Sequence, residues 1–411
     1  MNTQFRRGFN SRLDKMVSPE IELSGRSWPA FQVCGIVGLL LALALAATLV
    51  YRLDLSFAIM AAIVLCALAT FYVLCLAAKL ITGEERMIYY HHQIAVLLVV
   101  HYLLRGLGQP TLSYLDVTAL GIGMFLACGR VGCLMVGCCH GRPHGWGVCY
   151  SDEHVAAGFA SYLAGVRLFP IQAVESLWAF LIVTFGVLIL LSDQAPGEAL
   201  AWYVLSYCVG RFSFELLRGD RERPGMLGFS EAQWTSVVLL SILVWAELSG
   251  ILVFHPWHLA VAVWMAIALA AIFLNRRYRG RITYRLLNPG HVKEVAEALE
   301  RLSGATTRLK ETRQESDQND ILLECTPLGI QISSSKIHSA AGCAFLYGLS
   351  SRNETITQEE ARTMAGLILQ LKHPDRSSEL IKGNEGIFHL LVHPMSGQKL
   401  GHSLKMAVST K

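Results

Sequence analysis

Tyr207, Arg211, Glu215 and Arg218 follow one another at intervals of four, four and three residues in an otherwise apolar stretch, which places them on a single stripe of a helix. Arg130, Cys133, Gly137 and Gly141 form a second such stripe, at intervals of three, four and four. Charged side chains inside a span are costly, so these groups must face the interior of a bundle, where they are either paired or functional. The simplest arrangement is a buried ion pair between Arg211 and Glu215. That leaves Arg130 and Arg218 in need of partners, for which Glu175 is the evident candidate. Two or three guanidinium groups lining a cavity would instead suit a phosphate, gripped by paired hydrogen bonds; in a membrane the phosphate nearest to hand is an anionic phospholipid headgroup. His91 and His92, preceded by Tyr89 and Tyr90, open another apolar run. Imidazole is the usual general base near neutral pH, although an interfacial histidine also serves simply to anchor a span.

Placing such groups requires helices that cross lipid, and the composition supplies them. The chain has 411 residues, 53% hydrophobic and 16% charged, with a mean hydropathy of +0.43; a soluble domain is nearer a quarter charged. Eight runs approach the roughly 20 apolar residues that a span needs: Trp28–Tyr51, Leu53–Ile81, His92–Leu107, Tyr114–Val136, Ile171–Leu191, Gly197–Leu217, Ala232–Phe254 and Trp257–Leu274. The pattern predicts an all-α polytopic membrane protein of about seven or eight transmembrane helices, followed by a small soluble α+β domain. Residues 1–27 read as a basic N-terminal tail with no cleavable signal peptide, and 28–276 as the membrane domain. Residues 277–320 read as a basic juxtamembrane segment, helix and linker, the last from Ser303 to Asp320. In 321–411, strand-like runs at Ile321–Cys325, Leu328–Ile332, Ala344–Gly348 and Ile387–Val392 surround one helix, with Thr357 and Glu360 as its capping box.

The net charge of +4, without a long basic stripe, argues against nucleic acid as a partner. Basic residues cluster just outside the spans, where anionic headgroups lie. Arg276, Arg277, Arg279, Arg281 and Arg285 close the membrane part; with eight spans, the positive-inside rule would place both termini in the cytoplasm.

Five stretches together resemble the prolipoprotein diacylglyceryl transferase family: Tyr-Tyr-His-His at 89–92, Gly129-Arg130-Val131-Gly132 running on to Gly141-Arg142-Pro143, Pro170-x-Gln172-x-x-Glu175, Tyr207-x-x-x-Arg211-x-x-x-Glu215-x-x-Arg218-x-Asp220, and Gln233. The resemblance covers roughly residues 85–250. It implies transfer of a diacylglyceryl group from phosphatidylglycerol to the cysteine thiol of a prolipoprotein, at the plasma (inner) membrane of a bacterium, with glycerol phosphate released and no cofactor. It also implies roles: His92 or His91 as the base for the thiol, and Arg130 and Arg211 holding the lipid phosphate as it leaves. Arg218, Glu175, Glu215, Tyr207, Gly141, Arg142 and Gln172 would complete the substrate site. The chain departs from the family in three places. Gln93 and Ile94 stand where two glycines follow the family's histidine, Cys133, Val136 and Cys138 replace polar residues of its signature, and Phe169 stands where a histidine precedes the proline.

Cys128, Cys133, Cys138, Cys139 and Cys149 crowd into that signature, with His140, His144 and His154 nearby. Cysteine and histidine are zinc ligands, but no CxxC spacing occurs here and small apolar cysteines are common in buried helices. Packing is therefore the expected role, with no metal; a thiol that transiently carries the transferred group is a further alternative. Two other functions compete: a phospholipid-binding transporter or sensor, and a related phospholipid-dependent transferase with a different acceptor.

Overall fold

The computed structural model describes residues 3–83, 89–192, 194–220, 225–278, 285–312, 322–339, 342–352, 355–374, 376–384 and 386–394. Residues 221–224, 279–284 and 313–321, which carry part of the segment between the sixth and seventh apolar runs, part of the basic cluster and the second part of the expected linker, lie outside them.

The segment expected as a tail is a helix, α1 (Thr3–Met16), followed by a hairpin of β1 (Glu20–Leu23) and β2 (Arg26–Pro29). Each of the eight apolar runs is then a helix: α2 (Ala30–Arg52), α3 (Phe57–Thr82), α4 (Tyr89–Gly106) and α5 (Thr111–Val136). After α5 come β3 (Pro143–Cys149), the short α6 (Asp152–Ala156) and β4 (Arg167–Leu168), then α7 (Ile171–Leu190) and α8 (Glu198–Phe214). A small hairpin of β5 (Gly225–Met226) and β6 (Phe229–Ser230) precedes α9 (Glu231–Leu248) and α10 (Pro256–Tyr278). Five of the eight, α2, α3, α5, α7 and α10, are long and apolar enough to cross a membrane by themselves. The others, α4, α8 and α9, are only 18, 17 and 18 residues long. The chain is thus a multi-pass membrane protein.

Successive helices run in opposite directions, which gathers the polar stripes at one end. The far end is held by buried polar contacts of its own. Asp116 near the start of α5 accepts from the Gly197 and Leu200 N–H groups, 2.7 Å each, and so caps α8. Glu247 at the end of α9 pairs with His258 at the start of α10, both buried. Positions 116 and 130 on one helix are about 21 Å apart at 1.5 Å per residue, which separates this anchoring end from the arginine end.

Beyond the bundle, α11 (Pro289–Thr312) continues past the expected end at Leu302, through sequence expected to be linker. It covers a five-stranded antiparallel sheet of β7 (Leu322–Cys325), β8 (Ile330–Ser339), β9 (Gly342–Ser351), β10 (Ser378–Lys382) and β11 (Phe388–Val392), in the order β10-β11-β9-β8-β7. The strand β10 was not anticipated: it is short, half polar and at the sheet's edge, where alternation is weakest. The helix α12 (Gln358–Lys372) carries the expected capping box, Glu360 N–H to Thr357 Oγ1 at 3.3 Å and Thr357 N–H to Glu360 Oε2 at 2.8 Å. Its Met364, Leu367, Ile368 and Leu371 are buried as the spacing requires.

The C-terminal sheet is not a detached appendage. One apolar core runs from Leu134 on α5 through Tyr150, Phe159, Leu163 and Leu168 into Val295 and Leu299 of α11, and on to Ile332 and Leu390 of the sheet. From the other side α1 grips β3: Asn10 bonds the Gly145 carbonyl and the Gly147 N–H, both at 3.1 Å, and Asp14 bonds Cys149 N–H at 2.9 Å and Arg167 at 2.9–3.0 Å. The loop after α5 is therefore clamped between the two ends of the chain. Leu299→Ala, which opens a cavity in the shared core, should cost about 2–5 kcal/mol. The check is a lower unfolding midpoint in detergent together with faster proteolysis between β3 and β4; an effect confined to the sheet would count against a shared core.

Candidate active site

The arginines meet on one carboxylate. Glu175, on the second turn of α7, takes Arg130 Nε at 2.6 Å on Oε2, and Arg211 Nη1 at 3.3 Å on Oε1. Arg218 Nη1 approaches the same Oε1 to 3.6 Å, beyond hydrogen-bonding reach. Arg211 also has Glu215 one turn on, Nη2 to Oε2 at 2.8 Å. That oxygen has no directed hydrogen bond, so the contact is one of charge rather than of N–H geometry. Arg218 is forked on Asp220, Nε to Oδ1 at 2.8 Å and Nη2 to Oδ2 at 2.7 Å. All three guanidinium groups are buried. The ion-pair and phosphate readings are thus not exclusive. The carboxylates balance the charge, yet among the described residues Arg218 Nη1 is a buried donor with no hydrogen-bond partner, which is costly unless something else accepts from it.

The backbone around the cluster is zipped together. The helix α5 stops at Gly137, whose left-handed φ of 83° lets its N–H bond the Cys133 carbonyl at 3.0 Å. The chain then lies beside the segment after α8: Gly219 N–H donates to the His140 carbonyl at 3.0 Å, and Arg142 N–H to the Leu217 carbonyl at 3.2 Å. Arg142 Nε adds a bond to the Arg218 carbonyl, 3.2 Å. No side chain fits at this crossing, since a Cβ on Gly141 would sit 2.4 Å from the Phe169 carbonyl oxygen and one on Gly219 2.5 Å from that of Gly141. Gln172 Nε2 holds the Cys138 carbonyl at 2.8 Å. Burial works against the charge on Arg218, but Cys139, Asp220 and Glu175 outweigh it and hold its pKa above the ordinary guanidinium value. Burial also lowers the pKa of His140 and favours its neutral form.

The histidines stand apart from this cluster. Tyr90 is the residue of its motif that turns inward, its hydroxyl 2.6 Å from Ser236 Oγ and its ring edge-on to Tyr207 at 5.3 Å. One and two residues further on, His91 and His92 are rotated about 100° and 200° around the helix. His92 is buried against α3, 5.0 Å from the Phe71 ring and with Nε2 3.5 Å from Cys75 Sγ. His91 is half exposed and pairs with Glu231 at the head of α9, 2.6 Å. Tyr207 stacks on Tyr203. The structure therefore brings together Arg130, Arg211, Arg218, Glu175 and Glu215, with Gly141, Arg142, Gln172 and Tyr207 bordering them, and leaves His91 and His92 on other faces of α4. Two participants were missed as site residues. Asp220 lies in the quoted motif and fills the fork of Arg218, whereas the contact of Tyr90 with Tyr207 arises from the packing of α4 against α8, for which the sequence carries no signal.

The cysteines were expected to pack. The turn after α5 folds Cys138 and Cys139 back onto Cys133, with all three Sγ atoms within 4.8 Å of one another. Thiol donation from Cys133 and Cys138 holds the Cys139 pKa well below the ordinary value, with Arg218 and Arg130 adding to the effect, whereas Cys138 is pushed up.

A family model described as prolipoprotein diacylglyceryl transferase matches residues 29–248, just over half of the chain. The chain belongs to this family. Among relatives, a phosphatidylglycerol–prolipoprotein diacylglyceryl transferase of Dehalococcoides mccartyi is 32% identical over 132 residues, which cover 32% of this chain and 48% of that protein. Diacylglyceryl transferase 2 of Clostridium perfringens is 30% identical over 132 residues (31% and 48%), and that of Clostridium tetani 29% over 136 (32% and 52%). The chain spans about half the length of the curated relatives it matches. The family match takes in the arginine cluster, the glycine crossing and the cysteine turn, and stops short of α11 and the sheet.

Because Glu175 is shared, it should matter more to the fold than either acid with a single partner. Glu175→Gln leaves buried arginine charge uncompensated and should destabilise by about 3–5 kcal/mol, measured as the unfolding midpoint in detergent. Glu215→Gln should cost clearly less; equal losses would mean that Glu175 is not the hub.

Proposed function

We propose that this protein transfers the diacylglyceryl group of phosphatidylglycerol to the cysteine thiol of a prolipoprotein, in the inner membrane of a bacterium. The observation that carries the proposal is the buried Arg218 Nη1, which sits beside Arg130 and Arg211 in charge contact with Glu175 yet makes no hydrogen bond among the described residues, so that it can still donate to an anionic oxygen. A phosphodiester entering there would take bonds from Arg218 and Arg130, while Glu175 and Glu215 keep the guanidinium planes in place. In the transition state the C–O bond to phosphate breaks and charge grows on the departing oxygen, where fixed guanidinium donors stabilise it most. Gly141, Arg142, Gln172 and Tyr207 would shape the walls around the headgroup.

For the base, His91 fits better than His92. Its side chain is half exposed, and Glu231 orients its ring. His92, enclosed between α3 and α4, would have a structural part. In this proposal residues 28–276 form the transferase domain and residues 321–411 a soluble domain whose core, continued through α11, braces the loop after α5.

The test is purified protein with headgroup-labelled phosphatidylglycerol and a cysteine-containing lipobox peptide. Arg130→Gln, Arg211→Gln and Arg218→Gln should each abolish glycerol phosphate release in chains that still fold, and lysine should rescue only in part because it cannot form a fork. His91→Asn should slow release by about 10²–10⁴-fold, with His92→Asn close to the parent. Phospholipid binding without release in the parent chain would favour a transporter or sensor, and release with a different thiol or hydroxyl acceptor would keep the donor and change the acceptor.

A further inference from the structure

We propose that Cys133, Cys138 and Cys139 form a three-sulfur site for a zinc-class divalent ion, with its fourth coordination position left open beside Arg130 and Arg218. Tetrahedral zinc with Zn–S bonds of about 2.3 Å sets its sulfurs about 3.8 Å apart. Three Sγ atoms already within 4.8 Å of one another need shifts of under about 1 Å to reach that spacing.

Packing does not account for the arrangement. Cys139 is one of four described non-glycine residues with positive φ, at 54°, a conformation that is unfavourable for a residue with a Cβ. A glycine would relieve it, so what the strain brings is the third sulfur. The backbone on either side is fixed: Gln172 holds the Cys138 carbonyl and Gly219 holds that of His140. His140 cannot serve as fourth ligand through Nδ1, which is turned to the Gly141 carbonyl at 2.9 Å. Among the described residues no other cysteine, histidine or acid joins the trio, which has the pattern of a reactive rather than a closed structural site. Three thiolates and one divalent ion carry a net negative charge, and the neighbouring guanidinium groups offset it.

On the transferase reading given above, the open position takes the sulfur of the incoming cysteine. The S–H proton passes to the base proposed there. The sulfur lone pair forms the new S–C bond while the C–O bond to phosphate breaks, and its electron pair leaves with glycerol phosphate.

The experiment needs no turnover. The full chain, purified in detergent under reducing conditions, should retain about one zinc, and after chelation should take up cobalt with a near-ultraviolet sulfur-to-cobalt charge-transfer band. Cys138→Ser and Cys139→Ser should lose the band and Cys149→Ser keep it, while a cysteine peptide should intensify it in the parent chain. On the unaltered chain, zinc should protect three thiols from alkylation. The site is overturned if the reduced protein shows neither band nor protection, if both serine variants bind cobalt like the parent, if two of the three sulfurs are isolated as a disulfide that persists under reduction, or if only monovalent copper binds. A chain that binds the ion but transfers nothing sinks the transferase reading and keeps the site; transfer by a rigorously metal-free chain does the reverse.

Discussion

Glu175 is a single buried carboxylate asked to compensate three buried guanidinium groups, from α5, α8 and the segment after α8. Desolvating charge is expensive, and each arginine is tolerable at this depth only because the shared acid and the two local ones, Glu215 and Asp220, stand against it. The carboxylate therefore dictates how closely three chain segments must meet. The closeness in turn demands glycine at 141 and 219, where backbone passes backbone with no room for a Cβ. One electrostatic requirement thus explains the helix stripes, the glycine crossing and the spare N–H of Arg218.

Such a cluster is only useful if it does not collapse, and the rest of the molecule supplies the restraint. At the far end Asp116, Glu198 and Glu247 fasten α5, α8, α9 and α10 through backbone N–H groups and through His255 and His258. At the near end α1 and α11 close on the loop after α5 from both sides. Arg276, which sequence alone assigns to topology, bonds the Gly228 carbonyl and lies 5.0 Å over the Phe229 ring, so it also pins the loop before α9. The helix α1 and the C-terminal sheet thereby meet at the end of the bundle that holds the arginines.

Three of the departures from the family signature, Cys133, Val136 and Cys138, fall together where α5 ends and turns. There Cys133, Cys138 and Cys139 bring three sulfurs together, Cys139 in left-handed backbone and Cys133 one helical turn beyond Arg130. A family scaffold with altered chemistry at its centre is a reasonable outcome for a fold whose charge cluster, rather than any one side chain, holds the geometry.

Residue spacing alone determined which groups share a face: Arg211 with Glu215 and Arg218, Arg130 with Cys133, and the capping box of α12 all follow from the helical repeat. It also determined the eight apolar helices and the family, because hydrophobic length and short motifs are local properties. What faces each stripe was not local. Only the tertiary structure decided that Glu175 is divided among three arginines, that His92 packs into α3 while Tyr90 looks inward, that Asp116 caps a helix 81 residues further along the chain, and that the C-terminal sheet shares a core with the loop after α5. The periodicity of a helix specifies an angle around its own axis and nothing about its neighbours; those are chosen by long-range burial and charge compensation, which no window of sequence contains.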